Sequence, residues 1–445
     1  MNGEKTFLQK VISIAVPVAL QSMLTTSFSM IDQVMVGQLG SHSIAAIGVA
    51  GKFAFMYSTI IGAVAAICGI MISQYMGQKN AKLSDRSLCI NLFYGIILAA
   101  VFFMPSLILP EKVIGLYTGD ISVIAIGSGY LRIISGTYPA IGIATILAVS
   151  LRCNDKSVLP LAAGIASAVV NTILNYLLIF GKGGLPELGV QGAAIASLIS
   201  QWVNAAIVTL FFLSMLQSKK EHFRPSLRMK STEYRDYFKM LLPVVITEFL
   251  WSLGQNVFAG IYGHIGTREM ASVQLISPVE SLCIGALSGV AQAAGILIGK
   301  RLGSGENEKA YEESKKLMQY GILGSVLLSA VLIFLRGYYV QIYNVEDSVQ
   351  EMAAGLLVCF ALLAPFKVTN MILGGGIIRS GGKTDYVMWI DLFGTWVIGV
   401  PLGFLTGHIL SIPIMYVYLF IGLEEIIRVL ISVIIFRSRK WMVKI

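Results

Sequence analysis

Long apolar runs recur along this chain, separated mostly by short polar breaks. They cover roughly 11–36, 44–74, 87–109, 121–150, 158–180 and 189–216, then 238–263, 270–299, 316–335, 350–378, 385–406 and 411–436. A helix needs about 20 apolar residues to cross the hydrocarbon of a bilayer. Within hydrocarbon a helix satisfies its own backbone groups, so each run predicts a membrane-spanning helix. The one long polar interruption is 217–239, QSKKEHFRPSLRMKSTEYRDYFK, which is basic and holds Pro225. The pattern therefore predicts an all-α polytopic membrane protein of twelve transmembrane helices. Residues 1–216 form an N-lobe with helices 1–6, 217–239 a cytoplasmic linker, and 240–445 a C-lobe with helices 7–12.

The two halves echo each other at a spacing of 226 residues. Pro17 answers Pro243, Gly37 answers Gly263, Gly40 answers Gly266 and Ala45 answers Ala271. Gly69, Gly77, Gly129 and Pro139 answer Gly295, Gly303, Gly355 and Pro365. Repeats retain such residues because they set turns, bends and close helix contacts. Six spans per half leave both halves with one orientation, so the repeat is of the parallel type, about an axis along the membrane normal. Pro17 and Pro139 are candidate bending points.

Composition agrees. Of 445 residues, 56% are hydrophobic and 13% charged, with a mean hydropathy of +0.77; a soluble domain carries about 25% charged residues. The short polar start, MNGEKTFLQK, has no small-residue cleavage site after a brief apolar core, so it leads into a retained first span. Lys and Arg fix the orientation. With the N-terminus cytoplasmic, 25 fall on the inner side. Four, Lys112, Lys182, Arg268 and Arg336, fall outside, and Lys52, Arg132, Lys367 and Arg428 lie within spans. That bias places both termini in the cytoplasm of a plasma-membrane protein. The linker's charge suits anionic lipid rather than nucleic acid. Five isolated cysteines, with no CxxC pair, are small buried hydrophobes.

Charges inside spans carry the candidate chemistry, since each costs at least ~2.5 kcal/mol there. Asp32 heads a stripe of Ser29, Thr25 and Ser22, which share one helical face and suggest a polar cavity wall. Asn171 and Asn175 lie four apart on the fifth span; they either glue helices or offer oxygens to a cation beside Asp32. Glu248 begins a polar face with Ser252 and Gln255. Glu280 lies between Ser277 and Ser281, and Asp391 precedes Thr395 by one turn. Arg132 and Lys367 are candidate partners for these acids, and Glu424, Glu425 and Arg428 have the spacing of a local ion pair. No HExxH, phosphate-binding loop or dinucleotide fingerprint is present, which argues against an enzyme and against ATP as the driving force.

Several stretches in register resemble the MATE (multidrug and toxin extrusion) transporters. IDQVMVGQLG at 31–40 with AAIGVA at 45–50 is similar to that family's first-helix signature, and GVQGAAIASLISQ at 189–201 to its sixth-helix pattern. LRCNDKSVLP at 151–160 and IRSGGKTDY at 378–386 resemble the loops after helices 4 and 10. The resemblance implies two six-helix lobes forming a V around a central cavity. It also implies export of cationic or amphiphilic small molecules in exchange for H+ or Na+, with no cofactor; a monomer is expected.

The family's helix-1 acid matches Asp32, its helix-5 pair Asn171 and Asn175, and its small helix-6 hydroxyl Ser197. Asn175 departs from the acid usual there, which weakens a sodium site at Asp32, Asn171 and Asn175. A branch coupling through the C-lobe has a helix-7 acid near Glu248, and its helix-10 acid gives way here to Lys367 and Val368. Asp391 and Glu280 resemble a pattern of Gram-positive bacteria. The expected mechanism loads Asp32 with a proton from outside, releasing a cationic drug, while Glu248, Gln255, Glu280, Lys367 and Asp391 line the cargo cavity. The alternative is a flippase for lipid-linked saccharides.

Overall fold

A computed structural model describes residues 6–218, 223–228, 231–343 and 345–445. Residues 219–222 and 229–230 of the basic linker, and residues 1–5 of the polar start, lie outside the described residues. Among the described residues all regular structure is helical. The first half holds α1 (Phe7–Gly37), α2 (Ser41–Gly77), α3 (Ala81–Ile108), the short α4 (Pro110–Gly115), α5 (Ile121–Ile134), α6 (Thr137–Cys153), α7 (Val158–Ile179) and α8 (Gly189–Ser218). The second holds α9 (Ser231–Ile265), α10 (Thr267–Gly303), α11 (Asn307–Gln341), α12 (Asp347–Asn370), α13 (Thr384–Leu392), α14 (Val400–Phe404) and α15 (Ile414–Ser438). Three π-helical segments, Met371–Ile378, Phe393–Gly399 and Leu405–Ile409, continue α12, α13 and α14.

Ten of these helical stretches are long and apolar enough to span a membrane, and α5 with α6 makes an eleventh, bent by 46°. The twelfth, α15, has the length but carries Glu424, Glu425 and Arg428 in its middle. The twelve-helix arrangement follows the predicted runs. One boundary differs: 231–239, read above as linker, forms the first turns of α9. Glu233 in that first turn suits the positive end of the helix dipole.

The bend between α5 and α6 has a local cause. Ser135 and Gly136 interrupt the helix and Pro139 follows, a combination that commonly kinks helices. Trp202 of α8 donates its indole N–H to the freed Gly136 carbonyl at 3.1 Å, as a broken helix in a bundle requires. The repeat mate of Gly136 is Leu362, and α12 runs unbroken through Pro365. α1 likewise runs unbroken through Pro17.

The chain folds as two compact units. One comprises Met23–Ile72 and Asn80–Lys230; the other comprises Met1–Ser22, Ser73–Lys79 and Ser231–Ile445. In the first unit α7 packs along α8, and α6 against α3 and α8. Tyr57 and Tyr138 are fully buried there, with the Tyr57 hydroxyl donating to the Tyr138 carbonyl at 2.6 Å. In the second, α12 packs against α10, α11 and α15, around Ile276, Leu356, Phe360 and Val417.

The end of α2 meets the end of α10 within this second unit. A Cβ on Gly77 would lie 2.1 Å from the Lys300 carbonyl oxygen, and one on Gly303 would lie 2.0 Å from that of Gln74. Gly303 is the repeat mate of Gly77, and Lys300 of Gln74. Each glycine thus meets the mate of the residue that its own mate meets, the signature of a two-fold contact. The turns beyond match too: Lys79 takes φ +57° where its mate Gly305 takes +78°.

Gly77→Ala should lower the melting temperature, because overpacking a tight crossing costs about 1–3 kcal/mol. Adding Gly303→Ala should cost less than the sum, since one displacement of the helices relieves both clashes. Thermal unfolding of the three variants in detergent measures it.

Candidate functional sites

Two polar clusters lie among the apolar helices, one in each unit. In the first unit α7 presents Asn171 and Asn175 on one face, both buried. Asn175 Nδ2 donates to Asp32 Oδ1 on α1 at 2.8 Å and to Asn171 Oδ1 at 3.1 Å. Asn171 Nδ2 lies 3.3 Å from Ser200 Oγ and 3.5 Å from Ser197 Oγ on α8. With its amide turned over, Asn171 donates to both Asp32 oxygens, at 3.0 and 2.9 Å, and accepts from Ser200. Either way amide hydrogens converge on a half-buried carboxylate. An open cleft of 640 Å³, lined by Met30, Met35, Gln38, Tyr176, Phe180 and others, runs over neighbouring α1 and α7 positions; the cluster residues do not line it.

The cluster of the second unit is ionic. Arg428 of α15 lies 3.7 Å from Asp391 of α13, and 3.8 Å each from Glu424 and Glu425 of its own helix. It also donates to the Thr395 hydroxyl in the π-helical segment 393–399. Asn370 Nδ2 donates to Glu425 Oε2 at 2.7 Å. Gly394 lets the Arg428 stem approach: a Cβ there would sit 2.5 Å from Arg428 Cγ. Glu248 pairs with Arg379 at 3.5 Å, and Glu280 accepts the Tyr418 hydroxyl. Lys367 Nζ lies 5.7 Å from the centre of the Phe360 ring. Gln255 and Arg132 are exposed.

The structure therefore gathers Asp32, Asn171, Asn175 and Ser197, and adds Ser200, which the three-residue step from Ser197 could have revealed. It engages Glu248, Glu280 and Asp391 with Arg379, Tyr418 and Arg428. Arg379 sits at the end of an apolar run and looked like loop chemistry. Arg428 looked like part of a local pair, whereas it is the hub of three helical stretches.

Comparison with known proteins accounts for the echo. The model of one protein family, MatE, matches residues 17–177 and again 243–405. The chain belongs to the MatE family. The two matches begin 226 residues apart, the spacing of the echo. A "Probable multidrug resistance protein NorM" of Thermotoga maritima is 23% identical over 97% of this chain and 93% of its own length. A "Multidrug resistance protein NorM" of Burkholderia vietnamiensis is 26% identical over 88% and 85%. Among solved structures, the outward-facing conformation of a multidrug resistance MATE family transporter aligns over 98% of this chain and 96% of its own, with a TM-score of 0.87 at 17% identity. That likeness confirms the fold, and the protein is a multi-pass membrane member of the MatE family.

Proposed function

We propose that this protein is a secondary multidrug exporter. It moves organic cations and other amphiphilic small molecules out across the plasma membrane in exchange for protons, with both termini cytoplasmic and no cofactor. It works as a monomer, with the basic linker joining its N- and C-lobes. The names of the MatE relatives support drug export, and the excess of Lys and Arg in the inner loops supports the orientation.

The observation that carries the coupling is the Asp32 carboxylate, facing amide hydrogens inside an apolar bundle. Hard cations such as sodium take oxygen ligands, whereas the Asn175 amide presents a hydrogen to Asp32, and Asn171 does the same when its amide is turned over. A proton bound from outside removes the attraction that Asp32 exerts on a cationic drug; its loss inside restores the attraction. Exchange follows when each ligand biases a different state of the lobes.

Inside-out vesicles separate the two cations. An imposed proton gradient should drive uptake of a fluorescent organic cation, and an imposed sodium gradient of equal size should not. Sodium-driven uptake would overturn the proton reading, and no uptake under either gradient would overturn the exporter reading.

A further inference from the structure

The ionic cluster of the second unit is out of charge balance. Glu248 on α9, Asp391 on α13, and Glu424 and Glu425 on α15 are its four carboxylates. Its three fixed cations are Arg379, after the π-helical segment 371–378, Lys367 on α12, and Arg428 on α15. Two further groups border this core: Glu280 of α10, occupied by the Tyr418 hydroxyl, and Tyr262 of α9, which interacts with both Glu280 and Glu424. A surplus negative charge at this depth is costly, and a bound proton removes it.

The hydrogen bonds select where that proton sits. Glu425 accepts from Asn370. Asp391 and Glu248 are a quarter or more exposed, at 25% and 33% of their side chains, and each has an arginine. Glu424 is only 6% exposed and lies 3.8 Å from Arg428 Nη2; its Oε2 has no hydrogen-bond partner. That oxygen abuts Gly399, where a Cβ would come within 2.5 Å of it, and a Cβ there would also meet the Phe258 ring at 3.0 Å. Asp391, Thr395 and Trp396 border a void of about 10 Å³, the size of one water molecule.

We propose that Glu424 is a second proton-binding site, distinct from Asp32, and that Arg428 reports its state to the π-helical segment 393–399. With Glu424 neutral, Arg428 serves Asp391, Glu425 and Thr395. Loss of the proton to water gives Arg428 a third full carboxylate and draws it toward Glu424. Thr395 then loses its donor, and the backbone at Gly394, packed on the arginine stem, follows. This deepens the proton-exchange reading, yet occupancy of Glu424 can be measured without transport.

Infrared difference spectra of the full-length protein in lipid nanodiscs, titrated with pH, provide the test. A neutral-carboxyl band that titrates should persist in Asp32→Asn and vanish when Glu424→Gln is added to that variant. Tryptophan fluorescence, with Trp396 in the moving segment, should change over the same pH range in the wild type and lose that change in Glu424→Gln. A band left unaltered by Glu424→Gln in the Asp32→Asn background overturns the proposal. Should that variant fail to fold, Glu424→Asp takes its place: a displaced band or titration midpoint supports the site, and a spectrum identical to wild type overturns it. If the band depends on Glu424 but vesicles carry no organic cation, this site stands and the exporter reading falls.

Discussion

Asp32→Asn should reduce gradient-driven export of organic cations to the level of vesicles without protein, at unchanged yield and melting temperature. The side chain keeps its size and one carbonyl oxygen, so Asn175 still has an acceptor where it now donates at 2.8 Å. The substitution removes the charge and the ability to exchange a proton. Asp32→Ala should do the same to export but also lower stability, because it strips the Asn175 amide of one of its two acceptors, a loss of about 1–3 kcal/mol for a buried donor. Energy-independent equilibration of drug across the membrane should survive better than uphill export. Measuring uptake at matched protein density, with and without the proton gradient, decides it: uphill export by Asp32→Asn at the wild-type rate would remove Asp32 from the coupling.

Arg428→Met should have the largest effect on folding. The arginine is 5% exposed and stands among three carboxylates. Breaking a buried ion pair by deleting one partner costs about 3–5 kcal/mol, and here one deletion leaves several acids uncompensated. The expected result is a protein that extracts poorly from membranes or melts well below wild type. Second substitutions should sort the acids. Adding Glu425→Gln or Asp391→Asn should restore part of the lost stability, because each removes a charge that has lost its partner. Adding Glu424→Gln should restore little, because a protonated Glu424 has no charge to remove. Melting curves of the single and double variants measure these couplings.

Much of the scaffold could be read from residue order. Apolar runs and basic inner loops give span number, and the proline and glycine echo gives the repeat; these signals are local or periodic. The first polar cluster was also accessible, since Asn171 and Asn175 share a helical face and the resemblance pointed to Asp32 and Ser197. The second was only half visible. Spacing alone pairs Arg428 with Glu424 and Glu425 on one helix, but Asp391 joins through helix packing that no spacing encodes. Thr395, one turn after Asp391, joins with it by accepting from Arg428. Glycines at 374, 375, 376, 394, 399 and 407 fall within the three π-helical stretches, and their density was the overlooked clue. Loop boundaries were least visible: the turns at 231–239 are polar enough to pass for a linker and still continue α9.

The crossing of α2 and α10 bears on how such a chain assembles. Gly77 against Lys300, and Gly303 against Gln74, form an isologous patch, the surface that would join two copies of a six-helix chain as a homodimer. Here both halves belong to one chain, so the partner is always present. Each glycine is held small by the other half's backbone, so this patch is bound to its symmetry. Asp32, whose mate is Phe258, and Arg428, whose mate is Trp202, lie outside the patch and depart from the symmetry. One subunit's duplicate could then evolve a different polar core without dissolving the dimer. The two halves, expressed as separate chains, should therefore still find each other.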